Sequence, residues 1–314
     1  MTVYCGVMRN NDNQIRFSIL STLAFYDLFE FPLTNLEIYD NLWQTQCEIQ
    51  DCLRILTELV KQKKIYRLQG FFGLAGRESL VNMRKKRYLS SYHKWRMIEK
   101  YRWVWASVPF IKMIGVSNTL GYGNAKEKGD IDLLVITKKN RLFTVRLFLT
   151  FWLLILGKWR HGKNIANRFC LSFYTTEKFI DFQRLMMNKN DIYLIYWLKW
   201  LRPIWSTDIN LAERWWKKNK WVENYLPNTM MVNPVLQIDH LNWWGKFTEK
   251  ILLGFWGDWF ESFLAEMQLK KIKKKTPVDN IDGAMASKDI LKFHPEGKRR
   301  EYARKWQKIV KEIN

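Results

Sequence analysis

Two aspartates one residue apart, Asp130 and Asp132, precede the apolar run Leu133-Leu134-Val135-Ile136. In an extended strand, residues i and i+2 point to the same face. Two carboxylates placed in that way can chelate a hard divalent cation such as Mg²⁺ through oxygen. An Asp-x-Asp alone is a weak signal, because such pairs recur in turns and caps. Its surroundings strengthen it. Residues 110–116 read as a strand and residues 131–137 as a second one, and the turn between them carries Ser117, Asn118, Thr119, Gly121 and Gly123. Such a turn can aim backbone N–H groups and hydroxyls at phosphates. Metal-binding carboxylates beside a phosphate cradle are what nucleotidyl transfer requires. One ion activates the attacking oxygen, while another clamps the triphosphate and stabilises the leaving pyrophosphate.

From Asn118 to Asp132 the chain resembles the DNA polymerase β-like nucleotidyltransferase superfamily, in particular its small bacterial members. The family signature is Gly-Ser, a spacer, Gly, a further spacer, then Ser-Asp-x-Asp before an apolar strand, and Asn118-Thr119-Leu120-Gly121-Tyr122-Gly123-Asn124-Ala125-Lys126-Glu127-Lys128-Gly129-Asp130-Ile131-Asp132 matches that spacing without a gap. The resemblance spans residues 110–174. It implies that Asp130 and Asp132 are catalytic and hold Mg²⁺ (or Mn²⁺), and that Ser117, Asn118, Thr119 and Gly123 contact the triphosphate of an NTP. Thr119 keeps the hydroxyl of the signature serine. Asn118 stands for the first glycine, although Asn tolerates left-handed backbone better than most residues, and Gly129 stands for a serine. The family's third carboxylate, its usual general base, belongs on a later strand. That strand, residues 168–174, holds no acid; Cys170 or Ser172 occupies the expected place, with Glu177 and Asp181 just beyond. Loss of a general base typically costs about 10²–10⁴-fold in rate. Two functions follow: a metal-dependent transferase moving an NMP group from an NTP to an unidentified acceptor, or a catalytically degenerate relative that binds nucleotide or nucleic acid.

The elements that must hold this hairpin can be read from periodicity. Residues 15–29 have helical apolar spacing, Pro32 and Thr34 mark a break and a new cap, and residues 35–43 form a second short helix. Thr45 can cap a third helix running to Lys61, and two short extended pieces flank the turn pair Gln69-Gly70. Three helices and a hairpin are the winged-helix order. The third helix presents Gln44, Gln46, Gln50 and Arg54, but also Glu48, Asp51 and Glu58, which is poor chemistry for reading DNA. Residues 77–105 read as a basic helix whose lysines and arginines form a solvated surface or track phosphates. Residues 142–159 read as a helix, residues 168–174 as a third strand, and residues from 192 onward as helix, ended by Pro203. Tyr193, Tyr196, Trp197 and Trp200 lie there at helical spacing, as core or as base-stacking groups. His240 and His294 have no assigned place. The expected architecture is α+β: a winged-helix domain (residues 1–80), a linker helix (81–109), a nucleotidyltransferase core with a mixed sheet and flanking helices (110–190), and a helical C-terminal region (191–314).

Composition sets outer bounds. The 314 residues are 47% hydrophobic, with a formal net charge of +22. That is enough apolar material for real cores, and the charge favours polyanions: nucleic acid along a basic surface, nucleotides, or an anionic membrane. Four cysteines without a C-x-x-C pair, and four scattered histidines, suggest neither a disulfide framework nor a zinc site. A reducing cytoplasm is the expected location. The residues up to Arg16 lack a signal peptide's pattern. The strongest apolar run, residues 147–156, has about half the length that a bilayer requires, so no transmembrane segment is expected and the run reads as a buried helix. Seventeen tryptophans keep a third possibility open, a peripheral membrane protein anchored by residues 147–156 and the Trp-rich C-terminal segments.

Overall fold

The computed structural model describes residues 2–229, 239–275, 281–293 and 298–313, with side chains from residue 11 onward except that of residue 275. The protein is mixed α+β, and its chain divides into two compact units. Helices α1 (Thr2–Asp27), α2 (Asn35–Asp40) and α3 (Ile49–Lys61) and strands β1 (Leu33–Thr34), β2 (Ile65–Leu68) and β3 (Phe71–Leu74) build the first unit. Helix α4 (Leu80–Lys100) begins in this unit and continues into the second. The second holds α5 (Arg102–Ser107), β4 (Ile111–Val116), α6 (Asn118–Gly121), β5 (Ile131–Thr137), α7 (Leu142–Ile155), β6 (Phe169–Thr176), α8 (Ile192–Lys199), β7 (Arg202–Ser206), α9 (Ile209–Asn219), α10 (Trp243–Ile251), α11 (Phe255–Lys275), β8 (Met285–Ala286) and β9 (Ile290–Lys292). Helix α12 (Lys298–Ile313) returns to the first unit from Arg299 onward, as do residues 220–229.

In the first unit, Ile15, Ile19, Leu20 and Leu23 of α1 are buried together with Ile55, Leu56 and Leu59 of α3. The strands form an antiparallel sheet in the order β1-β3-β2. A capping box starts α2: the Thr34 hydroxyl accepts from Glu37 N, and Glu37 reaches back to Thr34 N. Thr45 does not cap α3. Its hydroxyl lies 2.6 Å from that of Ser18, a buried polar pair, and α3 starts after Glu48. Two arginines of α4 close the unit: Arg84 is bidentate to Glu37 at 2.8 and 2.7 Å, and Arg87 meets Glu30 at 2.5 Å. The basic stretch is therefore not uniformly solvated. Remote segments complete the core, with Tyr225 stacked on Trp43 and Trp306 Nε1 donating to the Ser21 carbonyl.

The second unit is organised on a six-stranded sheet, order β7-β4-β5-β6-β9-β8. β5 lies antiparallel to β4 and parallel to β6, the latter through the crossover helix α7. Every residue of β5 except Asp132 is buried, as a strand covered on both faces must be. Three strands lie where helix alone is expected from the sequence. Pro203 does not end α8, which stops at Lys199; it sits within β7 at the sheet edge, where a missing N–H is tolerated. Strands β8 and β9 pair beyond β6. Helix α7 is shorter than its apolar pattern, because Gly157 takes a left-handed turn (φ 62°) and Trp159 then bridges to Phe169. Of residues 147–156, Leu149 and Leu153 are buried, whereas Leu147, Phe151, Leu154 and Ile155 are exposed. The buried-helix expectation is met on one face only. No described helix is long and apolar enough to cross a membrane.

Helix α7 is preceded by Arg141, whose side chain makes no capping bond. Its orphan N–H groups are met from α11: the buried Glu261 carboxylate accepts from Phe143 N at 3.0 Å, Thr144 N at 2.8 Å and the Thr144 hydroxyl at 2.7 Å. A carboxylate at a helix N-terminus also meets the positive end of the dipole. Glu261→Ala is expected to lower stability by about 1–3 kcal/mol, because buried donors lose their acceptor. Glu261→Gln, which keeps one acceptor oxygen, is expected to recover part of that loss. Urea unfolding followed by far-ultraviolet circular dichroism measures both.

Candidate functional site

The site lies where β5 begins. Ser117 is buried, and its backbone N–H donates to the Asp132 carbonyl at 3.0 Å, tying the turn to the first residues of β5. Asn118 takes φ 57°, the left-handed backbone that a glycine supplies at this point of the signature. Its side chain hydrogen-bonds the Asp132 carboxylate. The Thr119 carbonyl accepts from Asn124 N at 2.8 Å, and Gly123 (φ 78°) turns the chain back. Gly121 is required for a different reason: a Cβ there would stand 2.2 Å from the Trp200 carbonyl oxygen.

A lysine of α4 braces the approach to the aspartates. Lys94 is buried, and its ammonium donates to the Gly129 carbonyl at 2.9 Å, the Glu127 carbonyl at 3.2 Å and Asn167 Oδ1 at 2.6 Å. Burial pulls its pKa below the usual lysine value, against the opposing pull of Asp130 and Glu127. In the sequence Lys94 is one more cation in a basic run, but here it ties the residues before Asp130 to those before β6.

The parallel register of β5 and β6 sets Asp132 opposite Cys170. Ligand atoms of Asp130, Asp132 and Cys170 all lie within 4.8 Å of one another, so three potential metal donors converge. Arg160 Nε pairs with Asp130 Oδ2 at 3.1 Å. Burial, reinforced by the like charge of Asp130, pushes the Asp132 carboxyl up to about 6, against hydrogen bonds from Asn118 and Cys170. Burial likewise pushes the Cys170 thiol up to about 12, and Asp132 adds to it. The thiol therefore stays protonated at neutral pH and is no proton acceptor as it stands.

The other acids suggested by the sequence go elsewhere. Glu177 follows the far end of β6, where its backbone N–H donates to the Thr137 carbonyl and its carboxylate accepts from Lys139 N. Asp181 caps the short turn of 3₁₀ helix at Phe182–Leu185. Among the described residues, the donor set beside the two aspartates is completed by Cys170 alone. Of the four aromatics proposed for stacking, Tyr196 is buried and Trp197 packs on Phe173 and Phe182. Trp200 is the one near the turn, its ring 5.8 Å from that of Tyr122 and 5.0 Å from the Arg202 guanidinium. His294 lies outside the described residues. Arg160 and Lys94 are the groups that periodicity and motif spacing do not pick out, since Arg160 reaches the site from the loop between α7 and β6.

No family model, curated protein or solved structure matches the chain. The chemistry of the site is thus read from its own residues. Two carboxylates with a buried, unneutralised component, a thiol between strands and a turn with hydroxyls suit a divalent cation, which would relieve the repulsion that raises the Asp132 pKa.

The raised carboxyl pKa has a stability consequence. Between the ordinary carboxylate value of 3.8 and about 6, the folded protein holds a proton that the unfolded chain has lost. Stability therefore falls as pH rises through that window, and the penalty is complete above it. Asp132→Asn is expected to raise Tm in EDTA above about pH 6, with the gain vanishing near pH 4. Thermal melts of both proteins across that range check this, and a pH-independent difference would refute the assignment.

Proposed function

We propose that the second unit is a metal-dependent nucleotidyltransferase that binds an NTP and transfers its NMP group to an acceptor. The observation that carries this reading is the convergence of Asp130, Asp132 and Cys170 at the start of a central strand, beside the turn of Ser117, Asn118 and Thr119. The order of strands and the crossover helix are compatible with a nucleotidyltransferase-type sheet. Likewise, three helices with an antiparallel β1-β3-β2 sheet support a winged-helix reading of the first unit.

Asp130 and Asp132 hold the cation, Mg²⁺ or Mn²⁺, which supplies charge stabilisation to the triphosphate and the leaving pyrophosphate. Asn118 orients the Asp132 carboxylate. Ser117, Thr119 and Gly123 contact the triphosphate, and Arg160 is close enough to Asp130 to add positive charge beside it. With a thiol in place of the third acid, the described residues supply no further carboxylate base to the acceptor. The acceptor best suited to this site is therefore one that attacks without losing a proton first, or that brings its own base.

Cys170 also supports a second reading, a degenerate transferase that binds nucleotide without turning it over. Nucleic-acid binding through α3 is not favoured, since Arg54 is engaged by Asp12, Asp51 and Glu58; a basic surface elsewhere on the chain would have to provide it.

Calorimetric titration with each of the four NTPs in Mg²⁺ is expected to show binding that Asp130→Ala/Asp132→Ala abolishes. Equal affinity in wild type and variant would sink the proposal. Cys170→Asp, which restores a third carboxylate, is expected to raise pyrophosphate release by about 10²–10⁴-fold. NTP binding without release in either protein would select the degenerate reading.

A further inference from the structure

The second unit carries a dense set of exposed aromatic side chains that the nucleotide site does not use. Helix α10 sits with Gly245 against α5, where a Cβ would meet the Ala106 carbonyl at 2.4 Å. The side away from that contact carries Trp243 (73% exposed), Trp244, Phe247 and Ile251, with Lys246 and Lys250 exposed beside them. The three rings of Trp243, Trp244 and Phe247 cluster within 8° of parallel, their centroids 5.2 to 5.9 Å apart in every pair. Leu253 follows, and then α11 continues the pattern. Its buried side, Glu261, Leu264, Ala265 and Gln268, packs on α7, and its outer side bears Phe255 (76%), Trp256 (73%), Trp259, Phe263 and Met267. An apolar surface of this extent in a soluble domain marks a partner or a membrane.

Charge and residue type decide between occupants. Along 243–274 the exposed cations are Lys246, Lys250, Lys270, Lys271, Lys273 and Lys274. Of the four acids in that stretch, Glu261 is buried at the start of α7 and the exposed Asp258 is neutralised by Arg141. The aromatic stripe is therefore bordered by positive charge on a chain of net charge +22. A second copy would bring the same positive charge against it. An anionic bilayer surface complements it, and tryptophan favours the depth of the headgroups. An amphipathic helix with aromatics on one side and lysines beside them lies in the plane of such a surface. No described helix can cross a bilayer, which fits binding in the plane rather than across it.

We propose that the outer faces of α10 and α11 form an in-plane docking surface for an anionic lipid bilayer, with Trp243, Trp256 and Trp259 entering the headgroup region and Lys246 and Lys250 meeting lipid phosphates. The test is co-sedimentation of the full chain with vesicles of phosphatidylcholine containing roughly one third phosphatidylglycerol, at about physiological salt. Brominated acyl chains report, by quenching, whether tryptophan enters the bilayer. Wild type is expected to sediment and to be quenched. Trp243→Glu/Trp256→Glu/Trp259→Glu is expected to bind at least about tenfold more weakly and to lose the quenching. Lys246→Gln/Lys250→Gln, which alters only exposed charges, is expected to weaken binding by about fivefold for each charge removed. Circular dichroism confirms that both variants fold. Equal binding by wild type and both variants would overturn the proposal. So would a wild type that ignores the vesicles, or one that sediments in solution as a dimer which the triple variant splits, the mark of a second copy on this face.

Discussion

Two carboxylates held side by side at the start of an apolar strand set the terms for the second unit. Asp130 and Asp132 repel, and burial removes much of the water that would otherwise screen them. The sheet cannot move them apart, because β5 is otherwise buried and fixed on both sides by β4 and β6. What surrounds the pair can be understood as answers to that repulsion. Arg160 takes one oxygen of Asp130, Asn118 and Cys170 donate to Asp132, and Lys94 braces the turn that carries both. These answers are incomplete, since the Asp132 carboxyl still titrates near 6. The divalent cation proposed for this site would relieve the repulsion that remains.

The cost of holding that geometry is distributed. Asn118 adopts a left-handed backbone and so brings its amide to Asp132. Gly121 permits the Trp200 carbonyl to come within a distance that no side chain would allow. The buried Lys94 ammonium gives up hydration and gains three acceptors, two of them backbone carbonyls that flank the approach to Asp130. A lysine is suited to this task because its three donors can diverge toward separate partners. Removing Gly121 or Lys94 would loosen the turn without touching the carboxylates, whereas removing Asn118 would also take a donor from Asp132.

The local features were the legible ones. Strand β5 follows directly from its apolar run, and the hairpin from the spacing between Asn118 and Asp132. The left-handed backbone at Asn118 follows from residue type. Features that depend on remote partners left no periodic trace. Strands β8 and β9 are two and three residues long and acquire strand character only by pairing beside β6. Thr45 has the chemistry of a cap, but Ser18, distant in sequence, claims its hydroxyl. Pro203 is a helix breaker by local rules and an edge-strand residue once β4 is beside it. Cys170 could be named from its strand, yet only the parallel register places it, rather than Ser172, against Asp132.

The net charge of +22 is easily misread as one field. Arg84, Arg87 and Arg141 are largely buried and each paired with a carboxylate, and Lys94 is buried, so these cations serve the architecture. The lysines of α10 and the end of α11 differ: they stand exposed beside exposed rings. Charge in the first group is fixed by short-range partners and is only weakly sensitive to ionic strength, whereas charge in the second acts across solvent and is screened over about a Debye length. The same residue types therefore do two unrelated jobs, and burial separates them. An interaction of this protein with polyanions would draw on exposed cations such as the second group, which makes the composition a poor guide to where such a partner binds and the accessible surface a good one.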